Sequence, residues 1–182
     1  MSHIKRERML KEIYDEELKK KQMNESQETI RVPRLKMVSD GVLHVPRESI
    51  STPSIAVNLI KNEIKIQHNH YGDGREVMVL ILLNIDNYPI MTKTVAVGSA
   101  DQVYVDPADV FGLVLSPHFN AKGFIMGHNH PSGEVFLSQS DRIMLRDFKK
   151  WGDDFNRPMR DFIVIGDGSE KYYSHRNESY EL

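Results

Sequence analysis

Cysteine is absent from the chain, which removes disulfides, iron–sulfur ligation, Cys-rich structural zinc sites and any thiol nucleophile together. Histidine and carboxylate side chains remain as the available metal ligands. Long apolar runs are missing too. The longest, Val77 to Leu83, falls far short of the ~20 residues that cross a bilayer, and no apolar stretch follows the charged N-terminus as a signal peptide requires. A cytoplasmic protein without membrane contact is the expectation. Nor is charge of one sign in excess: 24 basic against 26 acidic side chains leave a formal −2, so no overall attraction to nucleic acid is built in. What is present is a chain of 182 residues, 40 % of them apolar, which suffices for one domain with a real core.

Residues 1–30 are dominated by Lys, Arg, Glu, Gln and Asn, with Met9, Leu10, Ile13, Tyr14 and Leu18 at loosely helical spacing. They read as a charged helical extension, either an appendage or a contact in a homo-oligomer. Residues 31–182 form the folded domain, beginning with a strand or hairpin around Leu35 to Val45. Thr52-Pro53 opens a helix that is expected to run to Lys61, with the Thr52 hydroxyl at the cap. The polar QHNHYGDGRE segment then reads as turn-rich. Glu76 precedes a continuous apolar run, the mark of a strand buried on both sides. A partner strand near Ile90 to Val97 follows across the turn Asp86-Asn87-Tyr88-Pro89.

Asp106-Pro107 repeats the capped helix start, and Val110, Phe111, Val114 and Leu115 supply its buried face. Gly123 to Met126 is a short strand. Ser138 caps the next helix, with Leu145, Phe148 and Trp151 facing the core and Asp141 in the first turn. Phe162 to Ile165 and Lys171 to Ser174 read as strands joined by Gly166 to Glu170. This alternation of helices and apolar strands predicts an α/β domain.

The chemistry concentrates in GHNHPSGEVFLSQSD, Gly127 to Asp141. In extended backbone, side chains alternate, so His128 and His130 point one way and Asn129 the other. Pro131 and Gly133 turn the chain sharply, and Ser138 starts a helix that returns Asp141 to the imidazoles. Two nitrogens and one oxygen leave a fourth tetrahedral position open, as in catalytic zinc sites. Asp141 alone would read as a helix N-terminal carboxylate. Glu76, at the mouth of the most buried strand, is the candidate general base and acid. Ser138 has two readings, as a cap or as a donor to a negatively charged tetrahedral oxygen. His68-Asn69-His70 repeats the three-residue string without the proline turn and Ser-x-x-Asp start, and reads as a solvent-facing loop. Neither GDG segment continues as a phosphate-binding loop.

The string His128-Asn129-His130-Pro131-Ser132-Gly133 followed by Ser138-Gln139-Ser140-Asp141 resembles the RadC-like branch of the JAB/MPN, or JAMM, metalloprotease-like family. Glu76 before a buried strand, Val97-Gly98, Asp106-Pro107, Val110-Phe111 and Ile165-Gly166-Asp167-Gly168 support the likeness, which covers about residues 35–175. It implies a cytidine-deaminase-like fold with a mixed sheet flanked by helices. It also implies Zn2+ at His128, His130 and Asp141, a zinc-bound water served by Glu76, and Ser138 near the oxyanion. Related enzymes cut peptide or isopeptide bonds, so a peptide or protein substrate is expected. The alternative is a non-catalytic DNA-associated or protein-interaction module, motivated by the DNA-repair name of RadC and by Lys5, Arg6 and Arg8. Two departures bear on it. Residues 1–30 are too short and charged for the helix-hairpin-helix common in RadC proteins, and Asp161-Phe162 stands where Asp-His is common, altering a substrate wall or removing a polar contact. A cytidine-type deaminase would need His-x-Glu and paired cysteines, which are lacking.

Overall fold

The computed structural model describes residues 48–178. The charged helix expected over residues 1–30 and the strand or hairpin near Leu35 to Val45 lie outside them. In chain order the elements are α1 (Pro53–Tyr71), β1 (Val77–Leu83), β2 (Pro89–Val97), α2 (Pro107–Val114), β3 (Gly123–His130), α3 (Gln139–Asp154), β4 (Met159–Gly166), β5 (Tyr172–Ser174) and α4 (His175–Glu178). The five strands form one sheet in the order β2-β1-β3-β4-β5. It is mixed: β1 runs antiparallel to β2 and β3, β3 parallel to β4, and β4 antiparallel to β5.

The apolar run of β1 becomes the middle of a three-layer sandwich because helices cover both sheet faces. Met78, Leu80 and Leu82 join Phe124, Met126, Phe162 and Val164 against Val110 and Phe111 of α2 and Leu145 and Phe148 of α3. Val77, Val79, Ile81 and Leu83 join Ile125, Ile163 and Ile165 against Ala56, Val57, Leu59, Ile60 and Ile64 of α1. All seven β1 side chains are buried, and each Val, Leu, Ile or Met so placed contributes about 1.5–3 kcal/mol. The Phe111 ring stacks on Phe148 at 5.8 Å and meets Trp151 edge-on at 6.3 Å. That aromatic contact locks α3 to α2 and thereby sets where the first turn of α3 reaches the sheet.

Three local expectations need correction. Helix α1 continues ten residues past Lys61 to Tyr71, so His68-Asn69-His70 is helical and not a loop. Extending a nucleated helix through His and Asn costs only a few tenths of a kcal/mol per residue, and Gly72, at φ 89°, closes it with its N–H on the His68 carbonyl at 2.8 Å. Thr52 precedes α1 but makes no side-chain cap bond; its hydroxyl pairs with that of Ser54 at 2.8 Å. Strand β3 extends through His130 where Met126 was expected as its end, because His128, Asn129 and His130 pair with Val164, Ile165 and Gly166 of β4. Elsewhere the expected elements are present, Asp106 capping α2 through a bond from the Ala108 N–H at 2.8 Å. No helix among the described residues is long and apolar enough to cross a membrane.

Candidate metal centre

Alternation along β3 puts Phe124, Met126, His128 and His130 on the face covered by α2 and α3, and Ile125, Gly127 and Asn129 on the face covered by α1. The α1 side is tight at Gly127, where a Cβ would lie 3.0 Å from the Ile163 carbonyl oxygen. Past His130 the chain turns through Pro131 to Gly133, the Gly133 N–H bonding the His130 carbonyl at 3.0 Å. Gly166 on β4 makes room for this turn, since a Cβ there would overlap the Gly133 carbonyl. The turn leads to Ser138, which starts α3 on the same side of the sheet as the two imidazoles.

Ser138 and Asp141 form a capping box. The Asp141 N–H donates to Ser138 Oγ at 3.1 Å, and the Ser138 N–H donates to Asp141 Oδ2 at 2.8 Å. The box holds the Asp141 carboxylate over the strand end. Its Oδ1 lies 3.2 Å from His128 Nε2 and its Oδ2 lies 3.4 Å from His130 Nε2. The two Nε2 atoms are 3.0 Å apart. Donors bound tetrahedrally to one zinc ion at about 2.0–2.1 Å stand roughly 3.3 Å from each other, so the spacing suits a shared ion. Among the described residues these three form the only such group that could hold a metal, and all are buried.

Electrostatics reinforce the convergence. Burial opposes ionisation of Asp141, but hydrogen bonds from His128 and His130, the charge of His128, and the Ser138 hydroxyl overcome it and hold the carboxyl far below its usual range. The bond to Asp141 raises His130 against burial, aided by Asp141 and Glu76 charge and by a backbone hydrogen bond to Glu134. A carbonyl partner on the far side of the ring is how metal-ligating imidazoles are oriented. His128 lacks one: its Nδ1 is buried without a partner among the described residues, and the Phe162 ring packs against it at 5.6 Å between centroids.

Glu76 lines the same cleft, of about 270 Å³, together with His130, Ser138 and Asp141. It is buried, and its carboxyl is raised, burial outweighing the pull of His128 and His130. Its backbone is fixed on the β2 side, where its N–H bonds the Ser99 carbonyl and its carbonyl accepts from Gly98, each at 2.8 Å. All five sequence-selected residues thus belong to one site.

The family model described as the RadC-like JAB domain matches residues 50–180. The chain belongs to that family. Its mixed sheet flanked by helices is the JAB architecture expected from the sequence. The RadC-like domain is similar to a UPF0758 protein of Gloeothece citriformis, 33 % identical over 106 residues, which cover 58 % of this chain and 43 % of that one. A UPF0758 protein of Haemophilus ducreyi is 29 % identical over 133 residues, 73 % of this chain and 55 % of the relative. One from Actinobacillus pleuropneumoniae serotype 5b is 30 % identical over 134 residues, 74 % and 56 % of the two chains. The chain spans about half the length of the curated relatives it matches.

Two further features of this RadC-like domain concern the sequence expectations. Phe162 is fully buried and forms core beneath His128, not a wall of the cleft. His68 and His70 stand two residues apart on a helix, about 200° around its axis, so they cannot converge on one ion. His68 instead bonds the Arg75 carbonyl through Nε2 at 3.0 Å. From the sequence, Asn129 could orient the loop or touch substrate but carries no chemical step. It is completely buried and makes three hydrogen bonds, to Val77, Arg75 and Asp167. The available signal was its place in the period-two pattern, which turns a polar side chain into the opposite, apolar face between two proposed ligands.

Proposed function

We propose that this domain is a zinc-dependent hydrolase of peptide or isopeptide bonds. The observation that carries the reading is the meeting of His128, His130 and Asp141 at a cleft lined by His130, Asp141 and Glu76. An N2O donor set with room for a further ligand suits Zn2+. When bound there, the ion supplies Lewis acidity, acidifying water and polarising a carbonyl. Glu76 accepts the proton from the attacking water and returns it to the leaving amine, a sequence that its raised proton affinity suits. Asp141 stays ionised throughout.

The cleft wall favours a peptide over a nucleic acid. Among the described residues, Glu76, Asp101, Glu134 and Asp141 line it with no Lys or Arg, and Val103, Phe136 and Met144 add apolar surface. Such a wall repels phosphate and accommodates side chains. The Lys5, Arg6 and Arg8 cluster behind the DNA-associated reading lies outside the described residues. The test is metal analysis of the purified chain combined with a peptide and isopeptide cleavage screen. Expected are bound zinc, cleavage of an amide substrate, arrest by a chelator and recovery on adding zinc. Cleavage indifferent to the chelator would reject the reading.

Ser138 completes the proposal as donor to the negative oxygen of the tetrahedral intermediate. Its one hydroxyl proton is directed to Asp141 Oδ2 at 2.6 Å, so serving the oxyanion requires rotation once Asp141 is committed to the ion. Ser138→Gly separates the two roles, because glycine at an N-cap costs only a few tenths of a kcal/mol relative to serine. We expect kcat to fall about 10²–10³-fold, the usual effect of losing an oxyanion donor, with the denaturation midpoint nearly unmoved. Full kcat in a folded Ser138→Gly protein would restrict this residue to capping.

A further inference from the structure

We propose that Asn129 is a positioning residue that sets Glu76 against the metal ligands; the inference rests on the reading of Glu76 as general base. The antiparallel ladder between β1 and β3 ends at the pair Met78 and His128. One residue further, the two backbones part: β3 pairs only with β4, while Glu76 bonds Gly98 and Ser99 on the β2 side. The peptide groups flanking Glu76 therefore have no backbone partner towards β3. The Asn129 side chain takes that place. Its Oδ1 accepts from the Val77 N–H at 2.8 Å and its Nδ2 donates to the Arg75 carbonyl at 2.9 Å.

A carboxamide carries an acceptor and a donor in the arrangement of a peptide group, so Asn129 acts as one more rung of the ladder. The second Nδ2 proton goes to Asp167 Oδ2 at 2.9 Å, which fixes the amide so that its oxygen faces Val77. Aspartate here would keep the acceptor, lose both donors and confront Asp167. An apolar residue would leave the buried Val77 N–H unpaired and the Arg75 carbonyl to His68 alone. Because Asn129 stands between His128 and His130, the rung ties the base directly to the strand that carries two ligands. Asn129 thereby supplies the β3-side restraint on Glu76, opposite its backbone bonds to Gly98 and Ser99.

The test uses the full chain and compares wild type, Asn129→Ala, Glu76→Gln and the double variant. Bound zinc is measured, together with hydrogen exchange of the Val77 amide and kcat and KM on a cleaved peptide. We expect Asn129→Ala to retain zinc, to raise Val77 exchange at least about tenfold while mid-strand Leu80 and Ile81 stay protected, and to lower kcat about tenfold or more with little change in KM. In the Glu76→Gln background Asn129→Ala should cost no further rate, since both changes remove one unit. Unchanged Val77 exchange, loss of zinc, or multiplying losses in the double variant would overturn the proposal.

Should Asn129→Ala not fold, Asn129→Asp and the exchanged pair Asn129→Asp with Asp167→Asn replace it. The pair restores one donor and acceptor and should recover rate lost by Asn129→Asp; no recovery would overturn the proposal. Should wild type cleave no substrate, the hydrolase reading fails by itself, and the positioning claim is read from cobalt-substituted protein. There, Glu76→Gln should move the pH midpoint of the visible spectrum and Asn129→Ala should move it too. A midpoint shifted by Glu76→Gln alone, or by neither, overturns it.

Discussion

Glu76→Gln is expected to retain bound zinc and to hydrolyse amides about 10²–10⁴-fold more slowly than wild type, the range over which a positioned acid–base group acts. Glutamine preserves the shape of the side chain and its place in the cleft but cannot take up a proton. The three ligand groups belong to β3 and α3 and are untouched by the change, which is why metal content and rate should separate. Folding should not suffer, because the Glu76 carboxyl is buried and its ionisation opposed by burial; a neutral amide removes that cost. The measurements are zinc stoichiometry, the denaturation midpoint and kcat on one substrate. A Glu76→Gln protein as fast as wild type would exclude proton transfer by this residue, and the cleft would have to supply another base, with Glu134 and Asp101 on its wall.

Most of this architecture is legible in the sequence where periodicity and burial coincide. The seven apolar residues from Val77 to Leu83 can be satisfied only between two covering layers, and helices α1 and α3 are those layers. The alternation of His128 and His130 and the Ser-x-x-Asp spacing specify a strand and a capped helix, each a local rule, and the site follows from their packing. What escaped local rules was decided by long-range partners. The extent of β3 depends on pairing with β4, 36 residues away between Met126 and Phe162. The continuation of α1 past Lys61 is the exception, a low-cost local extension that Gly72 ends. Asn129 reads as a minor residue between two proposed ligands because its three partners come from β1, from the segment just before it and from the loop after β4. No window of neighbouring residues contains that information.

Asp141→Asn should abolish stable zinc binding while leaving helix α3 in place. The amide oxygen of asparagine can still accept from the Ser138 N–H, and the Asp141 backbone N–H that bonds Ser138 Oγ is unaffected. Both bonds of the capping box therefore survive, and the loss of stability in the metal-free protein should stay within about 1 kcal/mol. The metal is another matter. With Asp141 neutralised, only two imidazoles remain as ligands, and the carboxylate that draws both Nε2 atoms together at 3.2 and 3.4 Å no longer does so. Perturbing a group that merely supports a ligand lowers metal affinity about 10–100-fold; removing the only anionic ligand should exceed that range. The proton affinity of His130, raised chiefly by its bond to Asp141, should fall at the same time, which two-dimensional NMR titration of the metal-free protein would register. Zinc titration by calorimetry gives the other half of the test. Wild-type zinc affinity in Asp141→Asn would mean that the ion, if bound, is held without α3, and the convergence of strand and helix at this point would then serve the helix cap alone.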